Sequence, residues 1–217
     1  MDKQFLHKER VCLMNTNRVW GGGEKWHYET ACYLAERGYS VLVILNRESD
    51  LHRKLKGKAH IKLVSMRINN MSFLNFFKIL TIRNHLRKNN IYTILLGLSR
   101  DMKLGGIAAK MAGVNQIIYR RGSAVPLKNS IVNRFLFQKV LTQVITNSND
   151  IKCSIFKNNP DIIADGKVRI IYNGVDLKQW GQADSLIESK EESNMLILGN
   201  AGRLVEQKGQ EYLIRIA

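Results

Sequence analysis

Apolar, strand-like runs alternate with helical patterns along most of the chain, and this alternation restricts the possible folds more than any single motif. The strand-like runs are RVCLMN, YSVLVILN, HIKLVSM, IYTILLGL, NQIIYR, QVITN and KVRIIYNG. YSVLVILN and IYTILLGL are nearly continuous, as parallel strands buried on both faces require. Segments such as EKWHYETACYLAERG and DMKLGGIAAKMAG separate them and carry apolar residues at helical spacing. The alternation predicts an α/β fold with a doubly wound parallel sheet.

The pattern ends at Asp176, where small, polar and acidic residues without a period follow. This stretch is typical of a linker, which we predict over residues 177–193 after a first domain at 1–176. Beyond it, MLILGNAG predicts a strand that meets glycine, and GQEYLIRIA predicts the start of a helix. One strand and part of a helix cannot bury a core. We therefore expect residues 194–217 to be the truncated start of a second domain.

Positive charge is concentrated in the middle of the chain. The net charge is +16, and the segment from Leu51 to Asn149 alone carries +17, with 18 Lys and Arg against a single acid, Asp101. Such a segment favours a polyanion, and nucleic acid, an anionic membrane surface and a phosphorylated small molecule all qualify. Solvated lysines that only maintain solubility are the alternative.

The sequence gives no indication of secretion, membrane insertion or a metal site. No apolar run approaches the ~20 residues of a membrane-spanning helix, and the first residues are too polar for a secretion signal, so we expect a cytoplasmic location. Cys12, Cys32 and Cys153 are widely separated and form no CxxC pair. We predict buried, reduced thiols and no zinc site.

Three consecutive glycines, Gly21, Gly22 and Gly23, lie between the first predicted strand and the first predicted helix. Ligands of open parallel sheets bind beyond the carboxyl ends of the strands, where a helix amino terminus offers free N–H groups to an anion. Residues without a Cβ let a phosphate or a sugar approach the main chain closely. A tight strand-to-helix connection would explain the glycines equally well.

Two familiar glycine motifs do not fit this turn. A dinucleotide site needs G-x-G-x-x-G and an acid at the end of the second strand, but Trp26 takes the third glycine position and the strand ends in Asn46 and Arg47. A P-loop needs Gly-Lys-Ser/Thr after the turn, and the chain has none there.

Three separated stretches, in the same order, resemble glycosyltransferase family 4. WGGGEKWHYETACYLAERGYSVLVI resembles the GG-x-E loop, helix and rGH-x-V strand of that family, with Tyr39 in place of the common histidine. VRIIYNGVDLKQW resembles the NGVD segment that joins the two Rossmann-like domains of the family. GNAGRLVEQKGQEYLI is similar to the GRL-x-x-x-KG turn that opens its donor domain.

The resemblance implies two Rossmann-like domains that face each other across a cleft, with the acceptor held mainly by the first and a nucleotide-activated sugar mainly by the second. It also implies sugar transfer, with retention, to a glycan or lipid-linked acceptor, as in polysaccharide or lipopolysaccharide biosynthesis at the inner face of a membrane. Arg203 and Lys208 match the diphosphate-binding residues of the family, and Gly22 and Gly23 match its phosphate-facing loop. A nucleotide diphosphate sugar is then the co-substrate, and no metal or other cofactor is expected.

The chain departs from the family after the strand in IIYRRGS, where many members carry a histidine that meets the reacting sugar. Arg121 stands there instead and is our candidate catalytic residue. Further cleft candidates are Glu24, His27, Asp101, Ser148 and Asn173. Local alternatives compete for four of them: a solvated histidine for His27, a helix N-cap for Asp101, and turn or capping chemistry for Ser148 and Asn173.

The paired glutamates that hold the donor in this family lie beyond Ala217. We therefore expect residues 1–217 alone to fold but to show neither donor binding nor transfer. The alternative function is a non-catalytic polyanion-binding module on the same fold, for nucleic acid or a membrane. The chain has no helix-turn-helix, RNP or zinc signature, so nucleic acid is the less favoured partner.

Overall fold

The computed structural model describes residues 10–175, 199–202 and 204–216, and gives no side-chain environment for residue 207. The chain divides into two compact units, Met1–Asn173 and Gly174–Ala217. The described part of the first unit contains a seven-stranded parallel sheet in the order β3-β2-β1-β4-β5-β6-β7. The strands are β1 (Arg10–Asn15), β2 (Ser40–Asn46), β3 (Ile61–Met66), β4 (Thr93–Leu96), β5 (Gln116–Arg121), β6 (Gln143–Thr146) and β7 (Val168–Ile170).

Helices connect the strands in the first unit. They are α1 (Gly22–Glu36), α2 (Asp50–Leu55), α3 (Phe76–Lys88), α4 (Ser99–Ala112), α5 (Ile131–Phe135), which continues into a π-helical turn (Leu136–Val140), and α6 (Asn149–Phe156). Short 3-10 turns precede α3 (Ser72–Leu74) and β7 (Asp165–Lys167). The second unit contains a 3-10 turn (Glu206–Lys208) and α7 (Gln210–Ile216).

The sheet buries apolar side chains on both faces because successive strand residues point to opposite sides. Residues of α3, α4 and the π-helical turn pack with Met14 and Leu96 on one face. Residues of α1 and α2 pack with Leu13 and Leu95 on the other. The strand order reverses between β1 and β4, and this switch point is where open parallel sheets bind ligands.

The doubly wound parallel sheet is confirmed, and each strand predicted within residues 10–175 is present. The predicted linker lies outside the described residues, as does the apolar first half of the predicted strand MLILGNAG. Helix α2 was not predicted, because a helix of six residues has too few apolar positions to establish a helical period. Ser49 starts this helix by accepting a hydrogen bond from the backbone N–H of His52, at 3.1 Å.

The thiol prediction is correct only in part. Cys12 is buried, Cys32 is half-buried and Cys153 is exposed, so a buried location is wrong for Cys153. In the residues that the structure describes, no cluster of three or more His, Cys, Asp or Glu side chains is suited to a metal ion. A separate search of the same residues finds no helix with both the length and the apolar character needed to span a bilayer.

Candidate functional site

The glycine turn lies at the switch point, where the connection from β1 enters α1: Gly21 precedes the helix in an extended conformation, and Gly22 and Gly23 are its first two residues. A Cβ added at Gly22 or Gly23 would meet no heavy atom within 4 Å, and neither residue lies in the left-handed region. Neither packing nor backbone conformation therefore requires glycine at these two positions. Because the first N–H groups of a helix lack intrahelical acceptors, their amides are available to a ligand.

A buried polar cluster connects the end of β1 to the first turns of α1. The side-chain amide of Asn15 donates to Glu24 Oε1 at 3.2 Å, and His27 Nδ1 lies 2.9 Å from the carbonyl oxygen of Gly23. A carbonyl can only accept, so Nδ1 is the nitrogen that carries the proton. Burial and the charge of Arg120 lower the pKa of His27 to about 4, which keeps the ring neutral.

The interpretation of His27 as a solvated histidine is wrong, since the residue is only 1% exposed. Its Nε2 is buried and has no hydrogen-bond partner among the described residues. This nitrogen faces Gly97, the residue after β4, where an added Cβ would come within 2.9 Å of it. The ring therefore fills the space across the switch point between α1 and the end of β4.

Arg120 joins this cluster, although the sequence analysis did not identify it. Its guanidinium lies 4.6 Å from the ring centroid of Trp26 and donates to Asn173 Oδ1 at 3.3 Å. Burial lowers the pKa of Arg120, and the negative charge of Glu24 opposes that change. The doubled arginine at the end of a buried strand was the available signal, because neighbouring strand residues point to opposite faces.

Asp101 occupies the other face of the sheet and is completely buried. Its carboxylate accepts from the Thr16 hydroxyl at 2.5 Å and from the backbone N–H groups of Thr16 and Leu98. Burial raises the pKa of Asp101 to about 7, against the opposing effects of these hydrogen bonds and of Arg100. The helix N-cap interpretation is correct only in part: Leu98 is the N-cap, and Asp101, the third residue of α4, caps the helix by accepting from the backbone N–H of Leu98 at 3.0 Å.

Arg121 lies on the same face as Asp101, opposite to the face of Arg120. Its Nη2 donates to the carbonyl oxygen of Val125 in the loop that follows β5. Its Nε is buried without a partner among the described residues, and so is the hydroxyl of Thr146, the residue beside Arg121 in the next strand. Unpaired buried donors and acceptors are uncommon in folded proteins and mark places that a water or a ligand group can satisfy.

The remaining predicted site residues are separate from these clusters. Ser148 begins α6, and its hydroxyl accepts from the backbone N–H of Ile151 at 3.3 Å, so the capping interpretation is confirmed. Lys208 is exposed in the 3-10 turn of the second unit, and Arg203 lies outside the described residues. The structure thus brings Glu24, His27 and Asn173 together around Arg120, beside the glycine turn.

The fold is similar to that of several solved glycosyltransferases. A Rickettsia africae glycosyltransferase matches with a TM-score of 0.68 and 20% identity over 81% of this chain and 45% of its own. The Anabaena protein Alr3699/HepE, solved with UDP and glucose, matches with a TM-score of 0.61 and 15% identity over 82% and 50% of the two chains. The lipopolysaccharide outer core galactosyltransferase WaaB matches with a TM-score of 0.57 and 15% identity over 77% of this chain and 46% of its own.

The chain spans about half the length of these solved structures. No curated protein matches the chain. The model of Glycosyltransferase Family 4 matches residues 20–179, which include the glycine turn, Arg120, Asp101 and the segment that contains Asn173. This match covers most of the chain, and we conclude that the chain belongs to Glycosyltransferase Family 4.

Proposed function

We propose that this chain supplies the acceptor side of a glycosyltransferase that moves a sugar from a nucleotide diphosphate donor to a glycan or lipid-linked acceptor. The observation that carries the proposal is the glycine turn at the switch point, where open space beside Gly22 and Gly23 exposes the first amides of α1. Family membership supports it, and so does the HepE complex, in which a protein of this fold binds UDP and glucose.

The proposed reaction breaks the bond between the anomeric carbon and the diphosphate oxygen. The acceptor oxygen bonds to that carbon and releases its proton, while negative charge develops on the departing diphosphate. Fixed amides and cations stabilise such charge without a metal ion. The amides of Gly22 and Gly23 would face the phosphate from this chain, and Arg203 and Lys208 would add positive charge. We propose retention of anomeric configuration, as the family resemblance implies.

The polar clusters have separate roles in this proposal. Glu24, His27 and Asn173 contribute to the acceptor side, where Arg120 holds Asn173 through a hydrogen bond and its charge interacts with that of Glu24. Arg121 takes the position of the family histidine, where a cation could bind an anionic group of the donor or acceptor. Asp101 and Ser148 support the strand ends through the hydrogen bonds they already make. We also propose that residues 1–176 form the acceptor domain and that residues 194–217 begin the donor side.

Incubation of the full protein with uridine, guanosine and adenosine diphosphate sugars tests this function. In the presence of membrane lipid extract or oligosaccharide acceptors, one donor should be consumed, with release of its nucleoside diphosphate and retention at the anomeric carbon of the product. Nuclear magnetic resonance of the product reads the configuration. Tight binding of duplex DNA or RNA, with no donor consumed from the whole panel, would instead support the polyanion-binding alternative.

A further inference from the structure

Large apolar side chains are exposed at the starts of two helices, and we propose that together they bind the surface of an anionic lipid bilayer. The first cluster precedes and opens α3 and consists of Met71, Leu74, Phe76 and Phe77, with exposed fractions of 62, 65, 58 and 78%. The second cluster lies before and along α5 and consists of Val125, Ile131, Val132 and Phe135. We call these eight residues the apolar rim.

Both clusters lie at one edge and on one face of the sheet. Helices α3, α4 and α5 each follow the carboxyl end of a parallel strand, so their first turns lie at the same edge. Their buried residues belong to a single core, with Ile82 from α3, Leu104 from α4 and Phe137 from the turn after α5. The two clusters therefore flank the first turn of α4.

The local packing shows that the first cluster is not the outer part of the core. Phe73 packs against the core, and the ammonium group of Lys103 lies 5.1 Å from its ring centroid. Its neighbours Leu74, Phe76 and Phe77 are mostly exposed. Large apolar side chains that are exposed together in one segment, and not singly, mark interaction surfaces in soluble proteins.

The charge around the rim identifies the partner. Lys78, Lys103, Lys128 and Arg134 are interleaved with the apolar residues, and Asp101, the single acid between Leu51 and Asn149, is completely buried. Apolar side chains that enter the acyl boundary and cations that meet anionic headgroups are the combination that binds a bilayer surface. A second copy of the chain would bring like charges together. Nucleic acid would gain little from the aliphatic residues, which do not stack on bases.

The rim lies at the same edge of the sheet as the glycine turn. Binding through the rim would bring this edge to the bilayer, where the head of a lipid-linked acceptor is presented. In this respect the inference rests on the proposed function and narrows its acceptor to a membrane lipid. Vesicle binding itself requires no nucleotide sugar, so it can be measured separately from transfer.

Sedimentation of residues 1–217 with vesicles tests the rim. The chain should bind vesicles rich in phosphatidylglycerol, bind phosphatidylcholine vesicles much more weakly, and dissociate as salt is added. The double variant F76S/F77S should weaken binding at least about tenfold, because two exposed aromatic rings no longer enter the interface. Arg134→Gln should weaken binding to anionic vesicles about fivefold and leave binding to neutral vesicles unchanged.

Two matched variants control for position. Met111→Ser removes an exposed apolar residue at the other end of α4, and Lys110→Gln removes a charge there; both should bind like the unmodified chain. Circular dichroism should show unchanged folding, since every substituted side chain is exposed. Equal binding by F76S/F77S and the unmodified chain would overturn the proposal. So would self-association that F76S/F77S abolishes, or a stronger preference for RNA than for anionic vesicles.

Absence of binding in the vesicle experiment would contradict the proposal that the apolar rim binds a bilayer, and it would not affect the proposed transfer reaction. Conversely, intact vesicle binding with no donor consumed would contradict the reaction and leave the rim in place. Transfer to a soluble acceptor should proceed equally well in F76S/F77S and in the unmodified full protein, because the rim contains none of the proposed site residues.

Discussion

Buried residues at the switch point both stabilise the local structure and carry titratable groups. Asp101 shows this most clearly, because its carboxylate binds Thr16 and closes the first turn of α4 while it is completely buried. The sequence around Asp101 can indicate that this residue caps a helix. It cannot indicate that burial raises the pKa of the carboxyl to about 7. That property depends on the strands and helices that exclude water from it.

The protonation of Asp101 should make stability depend on pH. Its pKa is higher in the folded than in the unfolded chain, so the folded chain retains a proton that the unfolded chain releases. The contribution of Asp101 to the free energy of unfolding is complete below about pH 4 and is lost as the pH rises to about 7. The change is on the order of a few kcal/mol. Urea unfolding across this range should show a steeper decline for the unmodified chain than for Asp101→Asn.

Asp150→Asn provides the control, since Asp150 is an exposed acid in the first turn of α6. It should leave the slope of stability against pH as it is in the unmodified chain. Parallel curves for the unmodified chain and Asp101→Asn would show that Asp101 does not titrate between the two states in this range.

Helix α4 carries two adjacent glycines in its interior, Gly105 and Gly106, and they differ in how closely they pack. A Cβ at Gly105 would come within 2.4 Å of Met14 Sδ and 2.8 Å of Leu96 Cδ2, both in fully buried side chains. At Gly106 the nearest atom would be Val140 Cγ1, at 3.3 Å. Gly105 thus allows α4 to approach the central strands closely.

Gly105→Ala should therefore destabilise the fold by about 1–3 kcal/mol, because the added methyl group overpacks the core. Gly106→Ala should be much closer to neutral, since the higher helix propensity of alanine, about 1 kcal/mol, offsets a small adjustment of Val140. Urea unfolding of both variants measures the difference. Equal losses at the two positions would contradict the close approach of α4 at Gly105.

Element type was predictable from sequence wherever the apolar period was long, as in β2, β4, α1 and α4. The start of α3 was not, because Phe73 and Leu74 fit the helical period but belong to a separate 3-10 turn. Asn75 begins the helix by accepting from the backbone N–H of Lys78 at 3.0 Å. Arg120 was missed for a related reason: its role comes from Trp26 and Asn173, which are distant in sequence and meet only in the fold.

At the scale of the whole molecule, the proposed phosphate site depends on the position of the glycine turn in the sheet. The parallel strand order places the turn at the switch point, and α1 directs its first amides towards that edge. The polar groups around Arg120 and around Asp101 lie on opposite faces of the sheet at this edge. The Family 4 match includes this turn, and the space beside Gly22 and Gly23 is open.

Substitution of Gly23 by valine in the full protein tests whether the glycine turn binds a phosphate. If the amides of the turn face a phosphate, the added side chain blocks the donor, and kcat/KM for transfer should fall about a hundredfold or more, with little change in Tm. Gly166→Val is the matched control, because Gly166 also has open space and lies in the short turn before β7, at the opposite edge of the sheet. It should retain full activity. Equal transfer by both variants, per folded molecule, would contradict the proposed phosphate site.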